Sequence, residues 1–490
     1  MRSFCRHFVL CCLLGATALG DAQVLARPGW AGSGVSSEPW WRRAVFYRIG
    51  PSTFQDSDGD GQGDVAGIEQ RLGYIQQLGV DAIVLRPPYT PDEFGDLARK
   101  AGDFHLRVLA QMDSADPVLA RTWLNQGAAG VVVDASRASE AQMSALRSLV
   151  QNGPGERVLV ALGVNTSAAP LSLAAELNTA AADAVTLRSK LSASVGSKEL
   201  SNQNLLLALS GVAKMEGDAD QQAIDDRALS AALLASRSAA IFDAGRELGL
   251  RSKDGSAVAM QWTPTNLTRE KATPEVAAVK PKVEVYGAFT PYIRPPKLML
   301  PAPVTPKVVE SDSLALVDPN TLPGFTSGEL KEPVSASGTA ENVFTEDIDQ
   351  ASLLNFYRHL IALHHGNGSL RNGAQVVFDR DAQGVTLWLR RAPSGSQTVG
   401  SVLVALNDTD KPVELDLSKD FAAQKMRGGL FRPLLTASTA KSGAAGGDEG
   451  VSERVDKLTL PPRTIFLGEV GRGAEAATET SSPRRQHKLH

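Results

Sequence analysis

Apolar and polar stretches alternate along the first half of the chain in a regular order. Short apolar runs such as "AVFYRIG", "VDAIVLRPPY", "LRVLAQM", "AGVVVDA" and "RVLVALG" are typical of strands buried on both faces. Between them lie segments with apolar residues at helical spacing, for example Ile68, Leu72 and Ile75 in "DVAGIEQRLGYIQQLG". About eight such strand–helix units predict a parallel sheet covered by helices, and they favour a closed (β/α)8 barrel.

The first residues have the features of a secretory signal peptide. Two arginines precede an apolar run at 8–19, which is too short to span a bilayer and is followed by small residues. We therefore expect residues 1–22 to be removed and the protein to be secreted or periplasmic, with no transmembrane segment after cleavage. The cysteines all lie in this segment, so we expect no disulfide in the mature chain (Cys5, Cys11 and Cys12).

Composition and charge narrow the classes of partner. Hydrophobic residues make up 43% of the 490 residues and charged residues 21%, as in ordinary soluble globular proteins. The formal net charge is −4, so the chain lacks the basic excess that binds nucleic acid or anionic lipid. We expect no nucleic-acid partner.

An acidic turn, "QDSDGDGQGD" at 55–64, contains the densest charge in the first half of the chain. Oxygen ligands at alternate positions, with glycines between them, suit a hard cation such as Ca²⁺. The ligands would be four carboxylates and one main-chain carbonyl, namely Asp56, Asp58, Asp60, Asp64 and the carbonyl of Gln62. From the residues alone, the alternative is an acidic turn solvated by water.

The segment "WWRRAVFYRIGPSTFQDSDGDGQGDVAGIEQRLGYIQQLGVDAIVLRPPY" resembles the first strand, first helix and second strand of glycoside hydrolase family 13, the α-amylase and α-glucosidase family. "WLNQGAAGVVVDAS" resembles its fourth strand and "LLASRSAAIFDAGRELGL" its eighth. "SVLVALNDTD" and "LTLPPRTIFLGE" are similar to strands of the β-sandwich that closes these proteins. The resemblance implies an α/β fold, a (β/α)8 TIM barrel followed by an all-β C-terminal sandwich.

The resemblance and the composition together suggest the domain organisation. We expect the barrel at 38–250, completed by a helix at 347–366, and the sandwich at 372–470. A segment at 263–322 is rich in Pro, Val, Lys and Thr, lacks helical periodicity and is predicted to be an extended or disordered insertion. Residues 472–490 are predicted to be a disordered tail.

The α-glucosidase branch of this family carries a metal loop at the place of the acidic turn, with the same spacing. The resemblance therefore favours a Ca²⁺ site over the solvated turn.

The catalytic positions of the family are changed. These retaining enzymes use a nucleophilic aspartate on the fourth strand, a glutamic acid on the fifth and an assisting aspartate on the seventh. The resemblance places Asp134 at the nucleophile position, but Val132 replaces an arginine and Leu162 replaces the acid/base. "GDAD" would place Asp220 at the third-acid position. Since leucine cannot transfer a proton, the resemblance implies a catalytically degenerate member.

The family's inserted domain B is also missing. Only about one helix fits between the third and fourth strands, where that domain normally forms a wall of the cleft. Heavy-chain ectodomains of heteromeric amino-acid transporters are similar in this reduction and in their "WW…YRIG" openings. This chain differs from them in its signal-like N-terminus.

The insertion at 263–322 is a candidate strap for docking a glycan or protein partner, and a surface loop lying on its own barrel is the alternative. Its apolar contacts would be Tyr286, Phe289, Tyr292, Leu298 and Leu300.

Three functions follow from the sequence. The first is a secreted, degenerate α-amylase-family protein of carbohydrate metabolism or binding. The second is an active retaining α-glucosidase with a relocated acid. The third is a partner scaffold like the transporter heavy chains.

Overall fold

The computed structural model describes the larger part of the chain, and the statements below refer to the described residues. These are 38–178, 183–195, 204–214, 219–264, 324–335, 341–380, 383–393, 400–426, 429–438 and 454–470. The predicted signal peptide, nearly all of the predicted insertion and the predicted tail lie outside them, so those predictions stay predictions. Within the described ranges, none of the helices combines the length and apolarity needed to span a membrane.

Eight parallel strands form a closed barrel in chain order, with the last strand pairing with the first. They are β1 (Val45–Ile49), β2 (Ala82–Leu85), β3 (Arg107–Met112), β4 (Gly130–Asp134), β5 (Val158–Leu162), β6 (Leu171–Leu177), β7 (Asn204–Leu209) and β9 (Ala239–Asp243). Two short strands, β8 (Ala213–Lys214) and β10 (Arg251–Ser252), pair separately beyond the barrel. The predicted TIM barrel is confirmed.

Helices follow the barrel strands: α1 (Val65–Gln70), α2 (Leu72–Leu78), α3 (Pro91–Asp103), α4 (Pro117–Asn125), α5 (Glu140–Gln151), α6 (Ala184–Val195) and α7 (Ala219–Leu234). Local sequence fixes their starts. Thr90 and Glu93 form a reciprocal capping box ahead of α3, and Pro91 occupies its first turn. The connection from β3 to β4, all of it described, contains α4 alone, which confirms that domain B is missing.

Two further helices complete the barrel layer after the gap in the described chain. They are α8 (Val343–Ile348) and α9 (Leu353–Gly366), followed by the short α10 (Gly368–Asn372). The helix expected at 347–366 begins later, because Ser352 caps α9 by accepting the N–H of Asn355. The buried face of α9 includes Leu354, Tyr357 and Leu360, which join the main hydrophobic core around the barrel.

The C-terminal region is all-β apart from the short helix α11 (Ser418–Ala423), as predicted. An antiparallel sheet has the order β11 (Ala374–Phe378), β12 (Val385–Arg391), β13 (Ser401–Asn407), β17 (Thr464–Val470) and β15 (Phe431–Ser438). β14 (Val413–Leu415) pairs with β16 (Leu458–Leu460). One face of the sheet, with Trp388 and Val404, joins the barrel core, and the other, with Leu387 and Phe466, packs with β14 and β16 in a separate core. Alternating side chains on each strand therefore serve two different cores.

Candidate functional site

Charged side chains gather at the carboxyl ends of the barrel strands. Inside the barrel, Phe46, Val132 and Ile241 belong to one apolar cluster. Side chains alternate along a strand, so the residues two positions later also point inward. These are Arg48 on β1, Asp134 on β4 and Asp243 on β9.

A bulge on β6 brings a further carboxylate into this group. Leu173 pairs with Leu206, but the next pair joins Ala175 to Leu207, so β6 holds one extra residue. Glu176 consequently pairs with Ala208, which belongs to the interior cluster. Paired residues of parallel strands point to the same face, so Glu176 points into the barrel.

In barrels of this type the interior side chains lie in layers of four, contributed by alternate strands. Arg86 directly after β2, Asp134, Glu176 and Asp243 are the last inward positions of four alternate strands. The layer at the mouth of the barrel is therefore entirely charged. We call these four residues the mouth layer.

Asp243 is neutralised by a buried arginine from the layer below. Nε and Nη2 of Arg48 both donate to its carboxylate, the second at 3.0 Å, and the N–H of Gly211 donates at 2.7 Å. Nη1 of Arg86 lies 3.9 Å away. Burial alone would lower the pKa of Arg48, but Asp243 outweighs it and raises the pKa. This ion pair ties together the ends of β1, β7 and β9.

Asp134 lies at the predicted place, the carboxyl end of β4, but its described polar contacts are with residues of the turn that follows it. Its Oδ1 accepts the hydroxyl of Ser136 and, at 2.9 Å, the N–H of the same residue. Nε of Arg137 lies 3.4 Å from Oδ2, and 40% of the Asp134 side chain is exposed. These contacts come from the turn that follows Asp134. Below it, Val132 offers no charge.

Leu162 ends β5 beside Asp134 and packs against the interior cluster. The next residue, Gly163, has a positive φ of 81°, and a Cβ there would lie 2.2 Å from Oδ1 of Asp134. The end of β5 therefore presents an apolar side chain and a bare backbone to the candidate nucleophile. It carries no proton donor.

The structure does not bring Asp220 to a strand end. The seventh barrel strand is β7, which ends at Leu209, whereas Asp220 is the second residue of α7. The match of "GDAD" to the family motif therefore placed the end of this strand too late in the chain. The side chain of Asp220 lies outside the described part of the structure, so its role stays a prediction.

The acidic turn lies between β1 and α1 and brings three carboxylates together. Oxygens of Asp56, Asp58 and Asp64 all lie within 4.8 Å of one another. The carboxylate of Asp60 is not in this group. It accepts the N–H of Gln62 at 2.8 Å and lies 3.4 Å from Nζ of Lys331.

Asp56 is the buried member of the three. It accepts main-chain N–H groups from Asp58, Gly59 and Gly61 at 2.8–3.1 Å, and the hydroxyl of Thr326. Burial opposes its ionisation, but the hydrogen bonds from Thr326 and the loop outweigh burial and lower the pKa. Asp56 is therefore a permanent anion in the neutral range.

An oxygen-only set with three close carboxylates fits a hard divalent cation such as Ca²⁺. Asp56, Asp58 and Asp64 would hold it, with the carbonyl of Gln62 as the predicted main-chain ligand. The same oxygens already accept N–H groups, so the turn also keeps its shape through its own hydrogen bonds.

Sequence reasoning missed Arg48, Arg86, Glu176 and Asp243. A usable signal existed for Arg48 and Asp243, since each is a charged residue at the end of an apolar run in "VFYRIG" and "AAIFDA". Glu176 had no such signal, because an alternating pattern without the bulge turns it outward.

Comparison with known proteins supports the resemblance to the α-amylase family. Residues 48–95 match the family model described as "Alpha amylase, catalytic domain". The chain is 49% identical over 57 residues to maltase A2 of Drosophila melanogaster, covering 12% of this chain and 10% of that protein. It is 53% identical over 53 residues to an oligo-1,6-glucosidase of Halalkalibacterium halodurans, covering 11% and 9%. These matches therefore span about a tenth of the relatives' length.

The solved structures that it resembles extend the likeness to nearly the whole fold. Trehalulose synthase from Pseudomonas mesoacidophila MX-45 superposes with a TM-score of 0.60 at 15% identity, covering 89% of this chain and 100% of that chain. An alanine-to-valine mutant of trehalulose synthase in complex with Tris gives the same TM-score and identity over 88% of this chain. The sequence likeness lies in the segment from β1 to α3 and the solved structures share the fold, so the chain resembles the α-amylase family, glycoside hydrolase family 13.

Proposed function

We propose that this protein is a secreted member of the α-amylase family that acts by binding and has lost the family's hydrolytic chemistry. Its ligand is a glycan or, as in the heavy chains it resembles, a partner protein. The observation that carries the proposal is Leu162, which ends the fifth barrel strand beside Asp134.

Retaining hydrolysis needs two carboxyl groups about 5 Å apart, one of which must give a proton to the leaving group. Leu162 cannot do so, and general-acid help is worth about 10²–10⁴ in rate. Asp134 itself is bound by Ser136 and faces Arg137 in the turn after β4. Both halves of the catalytic pair are therefore compromised.

The short β3–β4 connection also supports a loss of hydrolytic activity. Domain B closes one side of the cleft in the family, and here α4 takes its place. A mouth without that wall admits water, which weakens electrostatic stabilisation of a charged transition state. The glucosidase names of the relatives rest on short matches, and the family-model match at 48–95 contains neither Asp134 nor Leu162.

An active retaining α-glucosidase is the second candidate, and one observation favours it. Glu176 is exposed and lies in the mouth layer with Asp134. A glutamic acid from β6 would then replace the missing acid of β5. Asp134 would serve as nucleophile and Glu176 as acid/base.

The test uses two substrates, maltose and an aryl α-glucoside whose leaving group needs little protonation. We expect the wild-type protein to turn over neither at rates above Asp134→Asn. Turnover of maltose that is lost in both Asp134→Asn and Glu176→Gln, but kept in Glu140→Gln on the outer helix α5, would establish the second candidate. Turnover of the aryl glucoside alone would show a surviving nucleophile without an acid.

The acidic turn adds a structural role to the proposal. We propose that Asp56, Asp58 and Asp64 bind Ca²⁺ and thereby fix the loop between β1 and α1. The loop is already clamped to the segment 324–335, because the N–H of Lys331 donates to the carbonyl of Gly61 at 2.9 Å. A cation would stabilise this contact by removing repulsion among the three carboxylates.

A further inference from the structure

Four Asn-x-Ser/Thr motifs, the acceptor pattern for N-linked glycans, occur in the chain. Their asparagines are Asn165, Asn266, Asn367 and Asn407. Asn266 lies outside the described residues. The other three have very different surroundings, and these decide which of them the fold leaves free for a glycan.

Asn407 is built into the core of the C-terminal region. It is 2% exposed, and its Nδ2 donates to the carbonyls of Lys411, Leu460 and Pro461 at 2.7–3.2 Å. A glycan would replace a hydrogen of this amide and push a sugar between packed strands. The fold excludes modification there.

Asn367 is occupied as a helix cap. Its Oδ1 accepts the N–H groups of Ser369 and Leu370 at 2.9 and 3.1 Å. Ser369 carries the hydroxyl of the motif, is fully buried and donates to the carbonyl of Gly400 at 2.7 Å. A glycan on Asn367 would have to stand over this buried contact.

Asn165 is free of such constraints. It lies in the loop between β5 and β6, where Gly163, Val164 and Ser167 are also exposed. Its side chain makes no hydrogen bond with any residue that the structure describes. Thr166 shapes the loop instead, by donating its N–H to the hydroxyl of Ser172 at 2.8 Å and accepting the N–H of Ala168 at 3.1 Å.

We propose that Asn165 is N-glycosylated during secretion and that its glycan stands at the lip of the barrel mouth. The inference rests on the proposed secretion. Val164 bonds back to the carbonyl of Leu162 at 3.0 Å, and Gly163 touches Asp134, so the loop borders the mouth layer. A bulky solvated glycan there restricts access to Asp134, in keeping with a barrel that binds and does not hydrolyse.

The transfer requires a lipid-linked oligosaccharide pyrophosphate as donor. Nδ2 of Asn165 forms a bond to C1 of the first sugar, the bond from C1 to the pyrophosphate oxygen breaks, and the lipid pyrophosphate leaves with that electron pair. The amide gives up one proton. Only a chain that enters the secretory pathway meets this donor.

The experiment expresses the full chain through a eukaryotic secretory pathway in an Asn266→Gln background, which removes the motif outside the described residues. Secreted protein is treated with an N-glycan amidase in H₂¹⁸O, which converts a glycosylated Asn to ¹⁸O-labelled Asp. We expect the label at position 165. In Asn165→Gln and in Ser167→Ala, the gel mobility should increase by the amount that corresponds to the loss of one glycan. Asn367→Gln should keep that glycan.

Unlabelled Asn165 in secreted protein would overturn the proposal, as would label at Asn367 or Asn407 without label at Asn165. Protein retained inside the cell with an unmodified Asn165 would overturn it as well, because secretion is its premise. Maltose and aryl glucoside assays on the same samples report separately on hydrolysis. A hydrolytic protein with a labelled Asn165 would refute the proposed function and keep the glycan site.

Discussion

At the scale of single residues, a buried carboxyl group without a cationic hydrogen-bond partner leads us to expect that stability depends on pH. Glu346 on α8 is 9% exposed, and one of its oxygens accepts the N–H of Leu354 at 3.0 Å. Burial raises its pKa to about 8, against the hydrogen bond from Leu354, which lowers it; Glu341 and Glu247 nearby also raise the pKa, and Arg227 lowers it. The folded protein therefore keeps a proton that the unfolded chain releases.

The sign of the effect follows from that difference. An unfolded Glu has a pKa of about 4.3, so stability falls as pH rises from that value through about 8. We expect Glu346→Gln to remove this dependence and to stabilise the protein at pH 8.5 by up to about 5 kcal/mol. Urea unfolding at pH 5, 7 and 8.5 measures it.

Asp347→Asn is the matched control, because Asp347 is the next residue of α8, is half exposed and pairs with Arg358. Its free energy of unfolding should keep the wild-type slope with pH. Parallel curves for wild type and Glu346→Gln would show that the buried carboxyl does not titrate as described.

A second residue-scale prediction separates backbone strain from a steric clash. Gly163 and Gly155 have nearly equal positive φ angles of 81° and 79°, but a Cβ on Gly155 meets nothing within 4 Å. Alanine at Gly155 should cost about 1–2 kcal/mol, the strain alone. Alanine at Gly163 should cost roughly 1–3 kcal/mol more, because its Cβ overlaps Oδ1 of Asp134.

The double variant Gly163→Ala with Asp134→Ala removes the overlapping carboxylate and tests the cause. Its destabilisation relative to Asp134→Ala should fall to the level of Gly155→Ala. An unchanged cost would mean that the strain at Gly163, and not its contact with Asp134, limits the end of β5. Thermal unfolding of the four variants provides the comparison.

At the scale of elements, the apolar runs of the sequence located the first five barrel strands and the eighth, but they did not locate β6 or show which of its faces lines the barrel. Apolar runs such as "AGVVVDA" and "RVLVALG" correspond to β4 and β5, since strands buried on both faces need continuous apolar residues. β6 is different, because its bulge shifts side-chain parity between Leu173 and Ala175. Nothing in "LSLAAEL" announces an extra residue, and so Glu176 was missed.

The acidic turn supports a prediction at the same scale. If Asp56, Asp58 and Asp64 hold Ca²⁺, a chelator should lower the melting temperature. A cation at a hundredfold excess over Kd adds about 2.7 kcal/mol to the stability of the folded state. Asp58→Ala should abolish the sensitivity, because it removes one of the three carboxylates. The change should disturb the turn little, since Asp58 is exposed and the one described hydrogen bond of its carboxylate is accepted from the N–H of Asp60.

Asp60→Ala tests whether Asp60 is a ligand of the cation, as its spacing suggests, or lies outside the ligand set. Its carboxylate stands apart from the group of three and faces Lys331, so the structure leads us to expect a smaller loss of chelator sensitivity than in Asp58→Ala. Equal losses would return Asp60 to the ligand set that its spacing suggested. Melting curves identical with and without chelator in the wild type would leave the hydrogen-bonded acidic turn as the correct description.

At the scale of the whole molecule, the order of barrel and all-β region was predictable, but the way they join was not. Motif order fixed the succession of the two parts. Their junction depends on which face of the antiparallel sheet meets the barrel, and alternation along a strand such as "VTLWLRR" does not decide this, because each face carries at least one large apolar residue. In the structure Trp388 faces the barrel, and its Nε1 donates to the carbonyl of Ala235 after α7 at 3.2 Å.

Arg390, two residues further along β12, allows a test of whether the barrel and the C-terminal sheet unfold together. It is fully buried, and its guanidinium donates to the carbonyls of Ala235, Ser236 and Gly373. Ala235 and Ser236 directly follow α7, and Gly373 directly precedes β11. Arg390→Ala removes the described side-chain donor of Ser236 and Gly373, whereas the carbonyl of Ala235 keeps that of Trp388, so we expect a loss of about 2 kcal/mol or more.

Because the sheet face and the barrel share one core, that loss should lower the stability of both parts together. Trp fluorescence and far-ultraviolet circular dichroism, followed in the same urea titration, should give coincident transitions in wild type and in Arg390→Ala. Arg391→Ala is the control, since the neighbouring side chain is exposed and should change the midpoint little. Separate transitions would contradict a shared core and make the C-terminal sheet an independent unit.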